Sequence, residues 1–324
     1  MDALHCATFM CAYPLNNIAA CLTVTALAVA RGGIYLRSAI AAYVCWILLD
    51  PSPTKGGYEW LWKLGITDML RRSWFWRYAA QYFPVTLKAT APVPAEKGPY
   101  IFVCHPHGII GVSPMTSFGT DGSGFHQTFP GVRVHLLGHN AIFRIPLFRE
   151  WCLMHGHGSA GRDTCLYLLG RGDSIALAPG GAKESLECEP GTMRLVLQNR
   201  KGFARLALRT GAALVPVLGF GENDLYSTVQ FEKHTWGRAI QERLQRRLGF
   251  AMPVFCGLSW LPLVPRRHPL TTLVGAPLWP QGAPLDPTEE QVDEFHQLYC
   301  QALRELFDTH KASYGMAHAS LDLV

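Results

Sequence analysis

The motif His-Pro-His-Gly at residues 105–108 carries the chemistry that is easiest to recognise in this sequence. It directly follows an apolar run, residues 100–104, whose composition is typical of a buried strand. Histidine accepts and releases protons near neutral pH because its ordinary pKa is about 6.5. His105 and His107 could therefore be metal ligands, could supply a catalytic base, or could be polar groups whose hydrogen bonds are satisfied within a packed core.

Metal binding is the weakest of these three interpretations. A second His-x-His pair, His155 and His157, could in principle complete a set of four imidazoles. However, no carboxylate or cysteine stands at ligand spacing beside either pair, and the sequence contains no H-E-x-x-H motif. We therefore expect neither a metal nor any other cofactor.

A serine nucleophile is also disfavoured. The nucleophile elbow of serine hydrolases needs Gly-x-Ser-x-Gly, and the nearest approach, residues 157–161, has a histidine in place of the first glycine. Without a nucleophile of this kind, an imidazole can act as a general base that removes the proton of an attacking hydroxyl. A purely structural turn remains the alternative for the histidine motif considered alone.

A second glycine-rich stretch, residues 178–185 (APGGAKES), supplies partners for such a base. Gly180 and Gly181 can present backbone N–H groups to a developing oxyanion. Glu184 can orient and charge-pair an imidazole, as the acid of a catalytic triad does. A base, an acid and an oxyanion site together indicate acyl transfer from an activated ester to a hydroxyl group.

Alternating strands and helices must position these two loops. The pattern predicts an α/β fold in which helices flank a mostly parallel central sheet, and active sites of such sheets lie where strands end in loops. A Thr-x-x-Gln capping box at 288–291 marks the start of the clearest helix. The strands are predicted at 100–104, 132–138, 174–179, 213–220 and 271–277, and the other helices at 162–172, 199–212 and 227–249.

The N-terminal part of the chain is different in character. Two apolar segments, 18–30 and 34–49, are separated by Arg31-Gly32-Gly33, which predicts a membrane hairpin, with a pair of core helices as the alternative. Residues 58–84 are rich in Trp, Tyr and Arg, as is typical of a membrane interface. We therefore predict a hairpin over 1–50, an interfacial helix and linker over 51–97, and a catalytic domain over 98–324.

Composition narrows the class of protein further. The chain has 324 residues and a net charge of +5, which suits anionic lipid or phosphate groups but is too diffuse for a nucleic-acid-binding protein. Its ten cysteines show no C-x-x-C pair and no regular spacing, which favours a reducing compartment over a disulfide framework.

These motifs together resemble the diacylglycerol acyltransferase type 2 family, which includes monoacylglycerol and wax-alcohol acyltransferases. The resemblance covers residues 56–315 in the family's order and spacing, so it is far more specific than any single motif. It is carried by YFP (82–84), HPHG (105–108), FPGVR (129–133), RDTCLYLL (162–169), PGGAKES (179–185), NRKGFARLALRTGAALVPVLGFGENDLY (199–226) and TTLVGAP (271–277).

The resemblance implies a glycerolipid acyltransferase-like fold and an acyl-CoA-dependent O-acyltransferase that makes triacylglycerol from diacylglycerol. Acyl-CoA would then be a co-substrate and a neutral lipid the acceptor. The family has a membrane hairpin with both ends in the cytosol, which implies an endoplasmic reticulum protein whose catalytic domain faces the cytosol. A location on the surface of lipid droplets and the formation of a homo-oligomer are two further possibilities.

Roles for individual residues follow from the same resemblance. We expect His107 to be the base and His105 a second site residue, although the choice between them stays open. Gly108 would allow a substrate to approach the backbone closely. Arg200, Lys201 and Arg205 would bind the phosphates of CoA, a solvated basic surface being the alternative.

Two questions remain after this comparison. Monoacylglycerol or a long-chain alcohol could replace diacylglycerol as the acceptor, and the stretch 134–161 could shape a different acceptor pocket. The rival class is a non-catalytic lipid-binding protein that keeps the fold. Such a protein would be expected to lose His107 or Glu184, and the sequence retains both.

Overall fold

A seven-stranded sheet forms the centre of the molecule. The computed structural model describes residues 14–232, 235–248, 253–259 and 262–324. The strands of this sheet are β1 (Val85–Ala89), β2 (Tyr100–His105), β3 (Val134–Gly138), β4 (Gly158–Ser159), β5 (Ser174–Leu177), β7 (Ala213–Phe220) and β10 (Leu270–Val274). Their order is β1-β10-β7-β2-β5-β3-β4, and only β10 and β7 pair in antiparallel fashion. The predicted α/β fold with a mostly parallel sheet is confirmed.

Two small sheets complete the β-structure of the described residues. Strand β6 (Met193–Leu195) pairs in parallel with β11 (Leu321–Leu323), and β8 (Ser227–Val229) pairs in antiparallel fashion with β9 (Val254–Cys256). Residues 227–229 were predicted to begin a helix. They form β8 instead, because Thr228 and Val229 are β-branched and find a partner strand, and the helix begins at Trp236.

Helices cover both faces of the sheet and form the N-terminus. They are α1 (Pro14–Arg31), α2 (Ile34–Leu49), α3 (Glu59–Lys63), α4 (Ile66–Arg71), α5 (Trp74–Ala80), α6 (Val112–Pro114), α7 (Phe125–Thr128), α8 (Phe148–Met154), α9 (Arg162–Gly170), α10 (Gly181–Ser185), α11 (Gly202–Thr210), α12 (Trp236–Leu248) and α13 (Glu289–His310). Shorter turns of helix lie at Ser52–Lys55, Ala95–Lys97, Met115–Gly119, Asn140–Arg144, Glu222–Leu225 and Lys311–Tyr314.

Helix α13 begins where its capping box predicts. The Thr288 side chain accepts a bond from the Gln291 N–H at 3.3 Å, and the Gln291 side chain accepts one from the Thr288 N–H at 3.0 Å. These contacts satisfy two of the N–H groups that a helix start leaves unpaired. The buried face of α13, which includes Tyr299 and Leu303, packs with α9 and α11 over one side of the sheet.

The central strand β2 is buried along its whole length, and the two faces of the sheet have different cores. Ile101 and Val103 point to the face covered by α9, α11 and α13. Tyr100 and Phe102 point to the other face, where Phe102 packs against aromatic rings. This alternation is the period-two pattern of a strand, and it fixes where the last residue of β2 lies.

The aromatic segment at 58–84 forms three short helices, α3, α4 and α5, where one helix was predicted. Gly65 has a φ of +72°, a left-handed conformation that ends α3 and begins α4. Trp62 and Trp76 are buried against the catalytic domain, whereas Trp60 and Trp74 remain exposed. The segment therefore packs on the domain and also presents aromatic side chains outward.

The domain boundary predicted at residue 98 does not coincide with the edge of the sheet. Strand β1, at 85–89, lies within the segment predicted as an interfacial helix and linker, yet it pairs in parallel with β10 of the central sheet. Sequence reasoning missed this strand because its only signal is a short run of alternating side chains, VTLKA, that is half exposed.

Helices α1 and α2 form a helical hairpin that turns at Gly32-Gly33, where a break was predicted. Arg37 donates to the carbonyls of Val29 and Ala30 at 3.0 and 3.2 Å, so its charge meets the open end of α1. Many apolar side chains of the hairpin are exposed. In the described residues one helical stretch, Ile34–Lys55, is long and apolar enough to cross a membrane.

Candidate active site

Three neighbouring strands bring the chemically important loops together. Strand β2 is flanked by β5 and β7, and all three run parallel. Their carboxyl ends therefore meet at one edge of the sheet, as the sequence pattern predicts. The loop after β2 carries the histidine motif, the loop after β5 carries Glu184, and the turn after β7 carries Glu222.

His107 has its ring fixed in one tautomer. Its Nδ1 lies 3.1 Å from the Gly108 carbonyl oxygen and 3.1 Å from the Ser185 hydroxyl. A carbonyl can only accept, so Nδ1 carries the proton and Nε2 holds the lone pair. Burial lowers the pKa of His107, opposed by the bond to Gly108, and the ring is therefore neutral at physiological pH. His107 is a suitable general base.

His105 has a different environment. It is the last residue of β2, is 1% exposed, and lies with Nε2 3.0 Å from the Tyr299 hydroxyl of α13. Burial lowers its pKa to about 3. It does not line the large cavity described below. His105 is thus enclosed by its contact with Tyr299, whereas His107 is the histidine of the motif that lines the cavity.

Within the described part of the chain, the hydrogen bonds of Glu184 go to backbone N–H groups and not to the imidazole ring of His107. Its two carboxylate oxygens accept the backbone N–H of His107 and, at 2.9 Å, the backbone N–H of Val196. The prediction that Glu184 orients the ring is therefore corrected. The carboxylate bonds to the backbone of the turn, and the ring is oriented by Gly108 and Ser185. Burial raises the pKa of Glu184 to about 7, although both N–H bonds act to lower it.

The glycines proposed for the oxyanion site have separate functions. A side chain at Gly180 would place its Cβ 2.0 Å from a Glu184 oxygen, so this glycine is needed for the packing of that carboxylate. Gly181 has a φ of +53° and lines the cavity. Gly108 has a φ of +62°, and a Cβ there would lie 2.6 Å from the Glu222 side chain. Of the three, Gly181 is the one that the cavity reaches.

Glu222 is a site residue that sequence reasoning missed. It is buried and accepts the N–H of Val112 at 2.9 Å, the N–H of Ser113 at 2.7 Å, and the Ser113 hydroxyl at 2.6 Å. It thus holds the far end of the loop that Glu184 holds at His107. A carboxylate just after a strand parallel to β2 is the signal that could have identified it.

A cavity of about 790 Å³ opens beside His107. Part of its lining is apolar and comes from α8, from the segment before it and from α1. Another part comes from α11 and the residues before that helix, and it carries most of the basic groups. The lining residues used below are Ile18, Ile142, Phe148, Trp151, Cys152, Arg162, Arg200, Lys201, Arg205 and Arg209.

The three basic residues predicted from the sequence all line this cavity, but they differ in their partners. Lys201 forms an ion pair with Asp293 at 2.6 Å, and Arg205 forms one with Glu289 at 2.5 Å, both on α13. Arg200 has no ion pair within the described ranges. The structure therefore separates a cation that is available to a ligand from two that are already paired.

Arg162 and Arg209 also line the cavity and were not singled out in the sequence. Neither has an ion-pair partner in the part of the chain that the structure describes. Together with Arg200 they make three guanidinium groups in the cavity lining that have no ion-pair partner among the described residues. A protein-bound phosphate group is typically recognised by such arginines.

The second histidine pair is held by backbone carbonyls. His155 Nδ1 lies 2.8 Å from the Trp151 carbonyl, and His157 Nε2 lies 3.1 Å from that of Gly119. The surrounding run, residues 156–161, has the spacing Gly-x-Gly-x-x-Gly before α9. Its glycines serve packing: a Cβ at Gly156 would strike Trp62, and one at Gly158 would lie 3.1 Å from Gly56.

Comparison with known proteins provides the remaining evidence. The family model described as diacylglycerol acyltransferase matches residues 35–324. Diacylglycerol O-acyltransferase 2 of Xenopus tropicalis is 40% identical over 286 residues, covering 85% of this chain and 76% of that protein. The 2-acylglycerol O-acyltransferase 1 of Bos taurus is 38% identical over 283 residues, covering 85% of this chain and 82% of that one.

Among solved structures, the 1-acyl-sn-glycerophosphate acyltransferase PlsC from Thermotoga maritima aligns with a TM-score of 0.37 and 13% identity, over 82% of this chain and 94% of that chain. A similarity of this size adds no argument about the site. The family match and the identity to curated relatives each extend over most of the chain. On these grounds, and with the histidine loop and its cavity in place, the chain belongs to the diacylglycerol acyltransferase family.

Proposed function

We propose that this protein is a membrane-bound, acyl-CoA-dependent O-acyltransferase that transfers a fatty acyl group to the hydroxyl of diacylglycerol, producing triacylglycerol. The observation that carries the proposal is the position of His107. A neutral imidazole with a fixed tautomer lines a cavity whose lining combines many apolar side chains with several arginines. This arrangement suits a substrate with a long apolar chain and a phosphate-bearing head.

The reaction uses His107 twice. Its Nε2 removes the proton of the acceptor hydroxyl as the oxygen attacks the thioester carbonyl. The carbon–sulfur bond then breaks, and the protonated ring returns that proton to the departing CoA thiolate. The new ester forms without a covalent enzyme intermediate, which agrees with the absence of a nucleophile elbow from the sequence.

The developing oxyanion would be met by backbone N–H groups at the start of α10. Gly181 lines the cavity there, and its neighbour in that loop, Gly180, allows Glu184 to pack behind it. Backbone donors in a site shielded from water stabilise such a charge strongly. Glu184 and Ser185, on the same short helix, hold the base at the other side of the reacting centre.

The CoA phosphates would bind at Arg162, Arg200 and Arg209. Lys201 and Arg205 would contribute positive potential, while their pairs with Asp293 and Glu289 fix α11 against α13. Replacing Arg200 with alanine should raise the KM for acyl-CoA and leave the KM for the acceptor nearly unchanged. Arg243, on α12 and outside the cavity lining, provides a matched control.

Monoacylglycerol is the second candidate acceptor, because a 2-acylglycerol O-acyltransferase of Bos taurus is nearly as similar to this chain as the diacylglycerol enzymes are. A long-chain alcohol is the further alternative predicted from the sequence. The deciding experiment supplies microsomes that contain the protein with labelled acyl-CoA and each acceptor in turn. Triacylglycerol as the main product, abolished by His107→Ala, is the expected result. Absence of every acyl product would refute the proposed function.

The hairpin would hold the protein in the endoplasmic reticulum membrane with the catalytic domain in the cytosol, where acyl-CoA is available. The apolar surface of α1 and α2 and the outward Trp60 and Trp74 support membrane contact. Association with lipid droplets and formation of a homo-oligomer remain predictions from the family resemblance.

A further inference from the structure

The first helix of the hairpin is part of the wall of the catalytic cavity. Ile18 of α1 lines the cavity that His107 also lines. The same side chain packs against a buried apolar cluster that includes Phe148 and Cys152 of α8. Leu27, nine residues further along α1, lies on the opposite side of the helix and is exposed. One face of α1 therefore belongs to the catalytic domain.

Polar contacts, one of them a buried ion pair, fix the hairpin in this position. The Tyr43 hydroxyl of α2 donates to Glu150 at 2.8 Å and accepts the Leu147 N–H at 3.0 Å. Asp50, just after α2, forms an ion pair with the fully buried Arg149. Residues 147–150 span the start of α8, so the same segment that carries Phe148 is bonded to the hairpin. The wall made by Ile18 and Phe148 is thus held at defined places.

The geometry of the proposed donor decides what lies against this wall. In a thioester, CoA and the acyl chain are attached to opposite sides of the carbonyl carbon. If the phosphates lie near Arg200 and the carbonyl lies near His107, the acyl chain continues into the remaining, apolar part of the same cavity. The apolar lining by Ile142, Phe148, Trp151 and Ile18 is the surface that can receive it.

We propose that Ile18 and Phe148 bound the terminal part of the donor acyl chain, so that the membrane hairpin is a determinant of acyl-chain length. The proposal rests on the proposed function, since it requires an acyl-CoA donor. It assigns to α1 a direct contact with substrate in addition to anchoring. The acceptor hydroxyl would reach His107 without contacting Ile18.

Ile18→Trp tests the proposal by filling the end of the cavity. Membranes containing the full chain receive a series of acyl-CoA donors from medium to very long chain, with one fixed acceptor. We expect the ratio of kcat/KM for long over medium chains to fall by roughly tenfold, since one methylene in an apolar pocket commonly changes selectivity by that factor. Ile18→Ala should shift the ratio in the opposite direction.

Leu27→Trp is the matched control, because it adds the same side chain to the same helix on the exposed face. It should leave the chain-length profile of the wild type unchanged. A second series varies the acceptor at one fixed donor. A change of acceptor preference without a change of donor profile would overturn the assignment to the acyl donor, and so would an unaltered donor profile in both Ile18 variants.

The experiment separates failure of this inference from failure of the proposed function. Wild-type membranes that transfer no acyl group from any donor would refute the function itself. Wild-type activity combined with an unchanged profile in the Ile18 variants would refute only the contact with the hairpin. A photoreactive group at the end of the acyl chain gives a readout that needs no turnover. In His107→Ala protein it should label the peptide containing Ile18, and labelling only of other peptides would contradict the proposal.

Discussion

At the scale of single residues, the two histidines of one motif have opposite surroundings. His105, the last residue of β2, is buried against Tyr299 of α13, and His107 lines the cavity. Strand alternation alone would place residues 105 and 107 on the same face, but β2 ends at His105, and the turn that follows brings the other ring to the cavity. Spacing alone shows the pair but does not distinguish the two members.

Alanine substitutions should separate their roles. His107→Ala should lower turnover by about 10²–10⁴-fold, the usual contribution of a general base, with a Tm close to that of the wild type. His105→Ala should lower the Tm clearly, because it leaves a cavity and removes a partner of the buried Tyr299 hydroxyl. Turnover and Tm measured on both variants check this, and the reverse pattern would contradict the assignment.

The pH dependence of turnover should report the buried imidazole. The base must be neutral, so activity is lost as pH falls through the pKa of His107, which burial lowers. The acid limb of kcat/KM should therefore have its midpoint below the ordinary histidine value of about 6.5. A midpoint well above that value would exclude His107 in this state as the base.

Glu184 should make stability depend on pH in the opposite sense from most carboxylates. Its pKa is about 7 when folded, against an ordinary 4.5, so the folded state holds the proton more tightly. The contribution is fully present below pH 4.5 and is lost as pH rises toward 7. Over that range the unfolding free energy of the wild type, relative to that of Glu184→Gln, should fall by up to about 3 kcal/mol. The Tm of the wild type relative to the variant should fall with it. A constant difference would contradict this.

At the scale of secondary structure, two carboxylates accept hydrogen bonds from backbone N–H groups of the loop that follows β2. Glu184 bonds to the loop at His107, and Glu222 bonds to it at Val112 and Ser113. Both carboxylates lie at the ends of strands that flank β2, so the sheet itself sets the distance between them. The two carboxylates position the loop through its backbone, so neither of them occupies Nε2 of the His107 ring.

Glu222→Gln tests this role. The amide nitrogen cannot accept a hydrogen bond, so one buried N–H of the loop loses its partner, at a cost of about 1–3 kcal/mol. We expect a lower Tm and a lower kcat with little change in the KM for acyl-CoA. Ser113→Ala is the control, since it removes only the hydroxyl that bonds to Glu222. Equal losses in the two variants would show that Glu222 does not position the backbone.

Much of this arrangement could be predicted from the sequence, and the exceptions have physical reasons. The five predicted strands are present because each is a strongly apolar run. Strands β4 and β6, of two and three residues, are too short to show a period. Glu184 was predicted to orient and charge-pair the imidazole of His107, but its bonds are to backbone N–H groups, and that depends on the direction of the loop. Residue types do not encode that direction.

At the scale of the whole molecule, the hairpin and the catalytic domain are joined by a buried ion pair. Arg149 is fully buried, and Asp50 at the end of the hairpin is one of its two carboxylate partners. Sequence analysis divided the chain near this point because its composition changes there. The contact between the two parts joins residues 99 apart in the chain, which no local pattern reveals.

Shortened chains should show the strength of this connection. A chain beginning at Tyr58 removes Asp50 and should lose on the order of 3 kcal/mol of stability, since breaking a buried pair leaves a charge poorly compensated. A chain beginning at Asp50 also lacks the hairpin but keeps the pair, and it should be the more stable of the two. Thermal unfolding measures the difference, and equal Tm values would contradict it.

The same two chains address membrane anchoring. Full-length protein should resist extraction by alkaline carbonate, whereas both shortened chains should be released, apart from peripheral contact through the exposed Trp60 and Trp74. Release of the full-length protein would show that α1 and α2 are ordinary surface helices.

The attachment of the catalytic loop through backbone contacts has a consequence for how such enzymes diversify. The proposed base, His107, is held at the ends of the central strands, whereas helices at the periphery, including α1 and α8, contribute to the cavity wall. Substitutions in the enclosing helices can therefore change which lipid is accepted without disturbing the proton-transfer machinery. Chemistry and selectivity can then evolve independently, so a single inherited reaction centre can serve several branches of neutral-lipid metabolism.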